Sequence, residues 1–213
     1  MRNSVKKLVS SVIAVVMTAS MSAAVFAADY GQEPSFPTTP SESSSATSAE
    51  IGAAVEKTEE KVTAAVDNAV ASAVDSGIGD AEEAATASVE VKSVSNLSVN
   101  SATVKKLAKS DVVLEIVSPK ATITIDPATI TKARKVDLSM KVVNSAVKTK
   151  VNFRSKKDFG CEVKIALTAC KMSAKKLASA HVYCDGEDLG PVELNDDGVP
   201  VITVKKGGVY EVK

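Results

Sequence analysis

The chain has 213 residues, with 26 basic and 26 acidic side chains, one histidine, three cysteines and no tryptophan. That length suits one domain plus an appendage. The cysteines and the histidine lack the close pairs of a structural zinc site, and four aromatic residues after position 89, Phe153, Phe159, Tyr183 and Tyr210, are too few for a sugar-stacking cleft and are expected to fill the core.

The first residues, MRNSVKK, carry Arg2, Lys6 and Lys7, and an apolar run, LVSSVIAVVMTASMSAAVF, then ends in small residues. This order is that of a secretory signal peptide over residues 1–27, cleaved after Ala27. Ser10, Ser11, Thr18, Ser20 and Ser22 weaken the competing reading as a membrane-spanning helix, which needs about 20 apolar residues. No cysteine follows the apolar run to accept a lipid, and no second run is long enough to span a bilayer. The expected location is extracellular, free or held at the cell wall, with no membrane contact after cleavage. Nucleic acid is a poor partner for an exported chain.

Residues 28–49 set three prolines among serines and threonines, a composition that cannot bury enough surface to offset ordering and reads as a disordered linker. Over residues 50–88, Ile51, Val55, Val62, Val66, Val70 and Val74 recur at helical spacing, with alanine filling much of the rest. An acidic, Ala-rich helical arm of about 27 residues is predicted, roughly 40 Å long, capped by Ser48 and ended by Gly77. Its narrow valine stripe can pack on the folded domain or pair with a second copy, which makes self-association through those six residues one functional alternative.

From residue 89 the period changes to two. VLEIV, ATITI, DLSMKVV, KTKVNF, CEVKIALTA, HVYC and VYEV read as strands, with short helices over NSATVKKLAKS and SAKKLASA. About eight strands at this spacing predict a mainly β fold, a β-sandwich-like domain with two short helices over residues 89–213.

Charge divides unevenly along the chain. Residues 28–90 hold thirteen acids against Lys57 and Lys61, whereas residues 91–213 hold thirteen acids against twenty-one Lys and Arg, a net of +8. Such a dipolar chain can lay its acidic arm along its own basic domain, or bring that domain to an anionic cell-wall polymer or an envelope protein. Between Lys141 and Lys157 there is no acid, and Lys148, Lys150, Arg154 and Lys156 share one parity, so a strand would project all four on one face. They are the candidate binding residues.

The acid-rich segment EDLGPVELNDDGVPVITV invites a calcium reading, but neither Asp185, Glu187 and Asp188 around Gly186 nor Asn195, Asp196 and Asp197 before Gly198 keeps the alternate spacing of a calcium loop. Both clusters read as hairpin turns, with Pro200 at a sheet edge. Cys161 and Cys170 fall in one predicted strand about 30 Å apart and on opposite faces, so any disulfide joins Cys184 to one of them; free thiols are the alternative. His181 has no local nucleophile signature. No catalytic residues, metal or cofactor are expected.

Three stretches carry a family resemblance. DLGPVELNDDGVPVITVKKGGVYEV, VKKLAKSDVVLEIVSPKATITIDPATI, and FGCEVKIALTACKM followed by KKLASAHVYC resemble the β-rich modules that recur in secreted and cell-surface proteins of anaerobic Firmicutes, over roughly residues 94–213. The resemblance implies a non-catalytic C-terminal module that accompanies enzymes or wall-anchoring domains. A secreted binding or scaffolding module of the cell envelope is therefore the leading expectation; a polysaccharide- or peptidoglycan-directed hydrolase, or its accessory domain, is the alternative.

Overall fold

The computed structural model describes residues 48–75 and 85–213, with side chains of the first helix from residue 55 to residue 73. The signal peptide, nearly all of the linker, and the side chains of Ile51 and Val74 lie outside the described residues. Helix α1 (Ser48–Asp75) is followed by β1 (Thr86–Glu90), β2 (Ser98–Val99), α2 (Ser101–Leu107), β3 (Val113–Val117) and β4 (Thr122–Ile125). A 3-10 turn at Pro127–Thr129 leads to β5 (Val136–Asp137), β6 (Met140–Asn144), β7 (Thr149–Phe153) and β8 (Asp158–Ala166). The chain closes with α3 (Ala174–Leu177), β9 (His181–Cys184), β10 (Glu187–Pro191), β11 (Glu193–Leu194), β12 (Pro200–Lys206) and β13 (Val209–Val212). The fold is mainly β, as the period-two runs predict, and β1 begins three residues before the expected boundary at 89.

A six-stranded sheet runs β1-β3-β4-β8-β12-β11 and a five-stranded sheet β10-β9-β13-β7-β6, with β2 and β5 forming a small third pair. Among the described strands only β1 and β3 run parallel, joined by a crossover through α2, as a parallel pair requires. Alternation does the rest: in β4, Ile123 and Ile125 turn inward while Thr122 and Thr124 do not, and in β7 Val151 and Phe153 alternate with Lys150 and Asn152. The inner faces of both sheets feed one core containing Ile116, Ile123, Ile165, Ile202, Val151 and Val212. Aromatic rings tie the layers together, since Phe153 of β7 lies 5.5 Å from Phe159 of β8 and 5.9 Å from Tyr210 of β13.

Helix α1 packs against β1, β2 and α2. Val62 and Val66 are fully buried there, so the middle of the valine stripe faces the chain's own core, leaving no unpartnered centre for a second copy. Val70 is half-buried against the same core, and Val55 is also half-buried. Polar groups register the contact. Asn100 caps α2 by accepting from the Thr103 N–H at 2.8 Å and donates through Nδ2 to Thr63 Oγ1 at 3.0 Å. Glu59 takes the Ser98 hydroxyl and the Lys135 ammonium, and Asp67 pairs with Lys106 at 2.5 Å.

Two sequence expectations need correction. The strand through Cys161 stops at Ala166 instead of reaching Cys170, because both neighbours run out there: Ala166 is opposite Thr122 of β4 and Val201 of β12. The following residues close a turn in which the Cys170 N–H donates to the Leu167 carbonyl at 3.0 Å. Pro200 opens β12, an interior strand, where the first position of the strand tolerates its missing N–H; β11 provides the edge.

Candidate functional site

The outer face of the five-stranded sheet gathers the charged and aromatic groups that the core rejects. Register places Val143, Lys150, Glu211, Tyr183 and Asp188 in one row across β6, β7, β13, β9 and β10. Three ammonium groups converge on one carboxylate of that row: Lys148 at 3.4 Å, Lys150 at 3.5 Å and Lys213 at 3.4 Å from Glu211. Partial burial pushes the Glu211 carboxyl up, but the hydrogen bonds and charges of Lys213, Lys148 and Lys150 outweigh it and hold the group below the usual glutamate range. The cluster keeps two positive charges in excess.

Lys213 also lies over the Tyr183 ring, 4.4 Å from its centroid, within cation–π range. Beyond it, His181 Nδ1 is 2.9 Å from Asp188 Oδ2. The Asp188 carboxyl sits below the usual aspartate range, held there chiefly by the Gly190 N–H at 2.8 Å and secondarily by His181. Among the described residues no serine, threonine or cysteine hydrogen-bonds the His181 ring. No group of three or more His, Cys, Asp or Glu is placed to hold a metal ion among them either.

The four predicted cations divide. Lys148 and Lys150 lie on the face just described, whereas β7 ends at Phe153 and places Arg154 and Lys156 in the link to β8. The Arg154 N–H donates to the Ser139 backbone carbonyl at 2.8 Å, one position past the last β6–β7 pair, before the chain turns toward β8. Lys156 approaches Asp185 at 3.9 Å, at the β9–β10 turn. Sequence reading missed Glu211, Lys213, His181 and Asp188 as members of the face and assigned Tyr183 to the core. The alternation of HVYC and VYEVK carried the signal: Val182, Cys184, Tyr210 and Val212 are buried, which turns His181, Tyr183, Glu211 and Lys213 outward.

The acidic clusters act as turns. Asp185 and Gly186 adopt φ of 48° and 97° between β9 and β10, the left-handed pair of a two-residue hairpin. Asn195 Oδ1 accepts from the Asp197 and Val199 N–H groups at 3.1 and 2.8 Å, and Gly198 takes φ of 73°. All three cysteines are free thiols, Cys161 and Cys184 buried and Cys170 half-buried. No helix among the described residues is long and apolar enough to cross a membrane.

Chemically, this face offers excess positive charge beside a half-covered aromatic ring. Comparison with protein-family models, with curated proteins and with solved structures finds no match to this chain.

Proposed function

We propose that the chain is an exported, non-catalytic binding or scaffolding module of the cell envelope, and that its outer five-stranded face engages an anionic wall polymer or an acidic envelope protein. The observation that carries this reading is the convergence of Lys148, Lys150 and Lys213 on one carboxylate beside Tyr183. A lone solvated lysine has no reason to share a counter-charge with two others, and three ammonium groups on one Glu leave room for further anionic groups. The signal-peptide pattern and the likeness to secreted β modules support the exported location. Arg154 and Lys156, on the adjoining link, extend the basic surface toward the β9–β10 turn.

Purified walls test it. The protein is expected to co-sediment with walls at about 0.1 M salt and to be released near about 1 M, where the Debye length falls to about 3 Å. A Lys148→Ala/Lys150→Ala/Arg154→Ala/Lys156→Ala variant is expected to bind about tenfold more weakly at the lower salt. Wild-type-like, salt-insensitive binding by that variant would overturn the reading. Turnover of a polysaccharide or peptidoglycan panel by the purified protein would replace it with the hydrolase alternative.

A further inference from the structure

A second basic feature uses none of the residues of the Glu211 cluster. A pocket of about 90 Å³ is lined by Lys92 and Ser95 from the β1–β2 link, Lys120 from the β3–β4 turn, and Met140, Lys141 and Val142 of β6. That volume is several times the ~10–15 Å³ needed to seat one water. Three segments remote in sequence each contribute a lysine to it. Among the described residues none of these three lysines takes part in an ion pair.

A backbone donor points to what such a pocket holds. Among the described residues strand β6 is the edge of its sheet, paired only with β7. In an antiparallel ladder successive N–H groups point alternately toward the partner and away from it. Leu138 and Met140 send theirs away from β7, to the Leu97 and Val94 carbonyls, both at 2.9 Å. Val142 has the same parity, so its N–H leaves on that side too, yet among the described residues it finds no backbone acceptor there. The residue is only 5% exposed and lines the pocket. Buried backbone N–H groups in folded proteins are almost always satisfied by something, and ammonium groups cannot accept. Nearby, the Ser95 hydroxyl accepts from Ser93 Oγ at 3.1 Å and keeps its own proton to donate.

We propose that this pocket binds a tetrahedral oxyanion, a phosphate or sulfate group, with Lys92, Lys120 and Lys141 supplying charge and the Val142 N–H and Ser95 hydroxyl supplying directed hydrogen bonds. The group is either free or carried as a diester on a polymer; the donor set is the same for both. Lys141 shares the outer face of β6 with Val143, but the site uses none of the residues of the Glu211 cluster and does not depend on the wall-binding reading.

The test follows the Val142 amide by NMR in the ¹⁵N-labelled purified chain while inorganic phosphate is added, against sodium chloride at matched ionic strength. Phosphate is expected to shift that amide saturably, with a Kd of about 1 mM, and Lys92→Ala/Lys120→Ala to weaken the Kd about tenfold while the rest of the spectrum stays dispersed. No shift at Val142, an equal response to chloride, or an unchanged Kd in the double variant would each overturn the proposal. An equal response to acetate would overturn the tetrahedral class. Tighter binding of dimethyl phosphate than of inorganic phosphate assigns the polymer-borne source, and the reverse order assigns the free ion. Because no walls are present, failure here leaves the wall-binding reading standing, and failure of wall binding leaves this site standing.

Discussion

Gly207 stands where the chain leaves β12 of one sheet for β13 of the other. A Cβ there would lie 1.6 Å from the Ser155 carbonyl oxygen and 2.7 Å from its carbon, backbone atoms that no rotamer change can move aside. The crossing is tight because it is bonded on both sides, Gly207 N–H to the Lys157 carbonyl at 2.9 Å and Phe153 N–H to the Gly208 carbonyl at 3.0 Å. Gly207→Ala is therefore expected to cost about 3 kcal/mol, the upper end of overpacking, and to lower the Tm by roughly 6–12 °C. Thermal unfolding followed by circular dichroism checks this, and an unchanged midpoint would refute the close approach. Burial acts on Cys161 at the same scale, raising its thiol from 9.0 to about 11, with the Asp158 charge adding to the effect. A folded pKa above the unfolded one means that the folded state holds the proton more tightly, so this stability is whole below pH 9 and is lost as pH climbs toward about 11. Tyr210, also pushed up by burial and by Cys184, adds to the same alkaline loss. Denaturant titrations from neutral to alkaline pH should show that decline, and Cys161→Ala should flatten part of it. At neutral pH alkylation should mark Cys170 before either buried thiol.

The arm illustrates how magnitudes decide between competing causes at the level of an element. Acidic groups of α1 do meet cations of the domain, but the Asp67–Lys106 pair is about half exposed on both sides, and such pairs contribute at most about 1 kcal/mol. Val62 and Val66 are fully buried, and a fully buried valine contributes about 1.5–3 kcal/mol. Packing, more than charge, holds α1. Raising salt to about 1 M should leave the α1 amides protected from hydrogen exchange, whereas Val62→Ser/Val66→Ser should release them and expose the helix to protease. Release by salt alone would assign the docking to the ion pairs instead. The helix itself was legible in the sequence because six branched residues keep one period for over twenty positions, and the major strands because they alternate. β2, β5 and β11 were not, since two residues have no period. The face around Glu211 stayed hidden for a different reason. Lys148 and Glu211 are 63 positions apart, and only the β7–β13 register brings them together.

Across the whole molecule, the sequence divides into an acidic and a basic part, yet the structure does not use the one to neutralise the other at the candidate face. The described carboxylates of α1 that form ion pairs are Glu59, with Lys135, and Asp67, with Lys106. Lys148 and Lys150 turn to Glu211, and Lys156 to Asp185, all within the β domain. The acidic groove beside α1, lined by Glu56, Glu59, Glu60 and Asp67, is thus a separate electrostatic feature. Exposed charges farther apart than about 8 Å are largely screened at physiological ionic strength, so the groove should weigh little on an anion held at the sheet face. Glu56→Gln/Glu60→Gln removes two exposed negative charges that take part in no ion pair among the described residues. That variant is expected to bind purified walls within about twofold of the wild type at ~0.15 M salt, while the loss of Lys148 and Lys150 weakens binding several-fold. If neutralising α1 instead strengthened binding as much as removing the lysines weakened it, the arm would be competing with the wall for the same cations. The basic face would then be a clasp for the chain's own helix, and its external partner would have to displace α1 in order to bind.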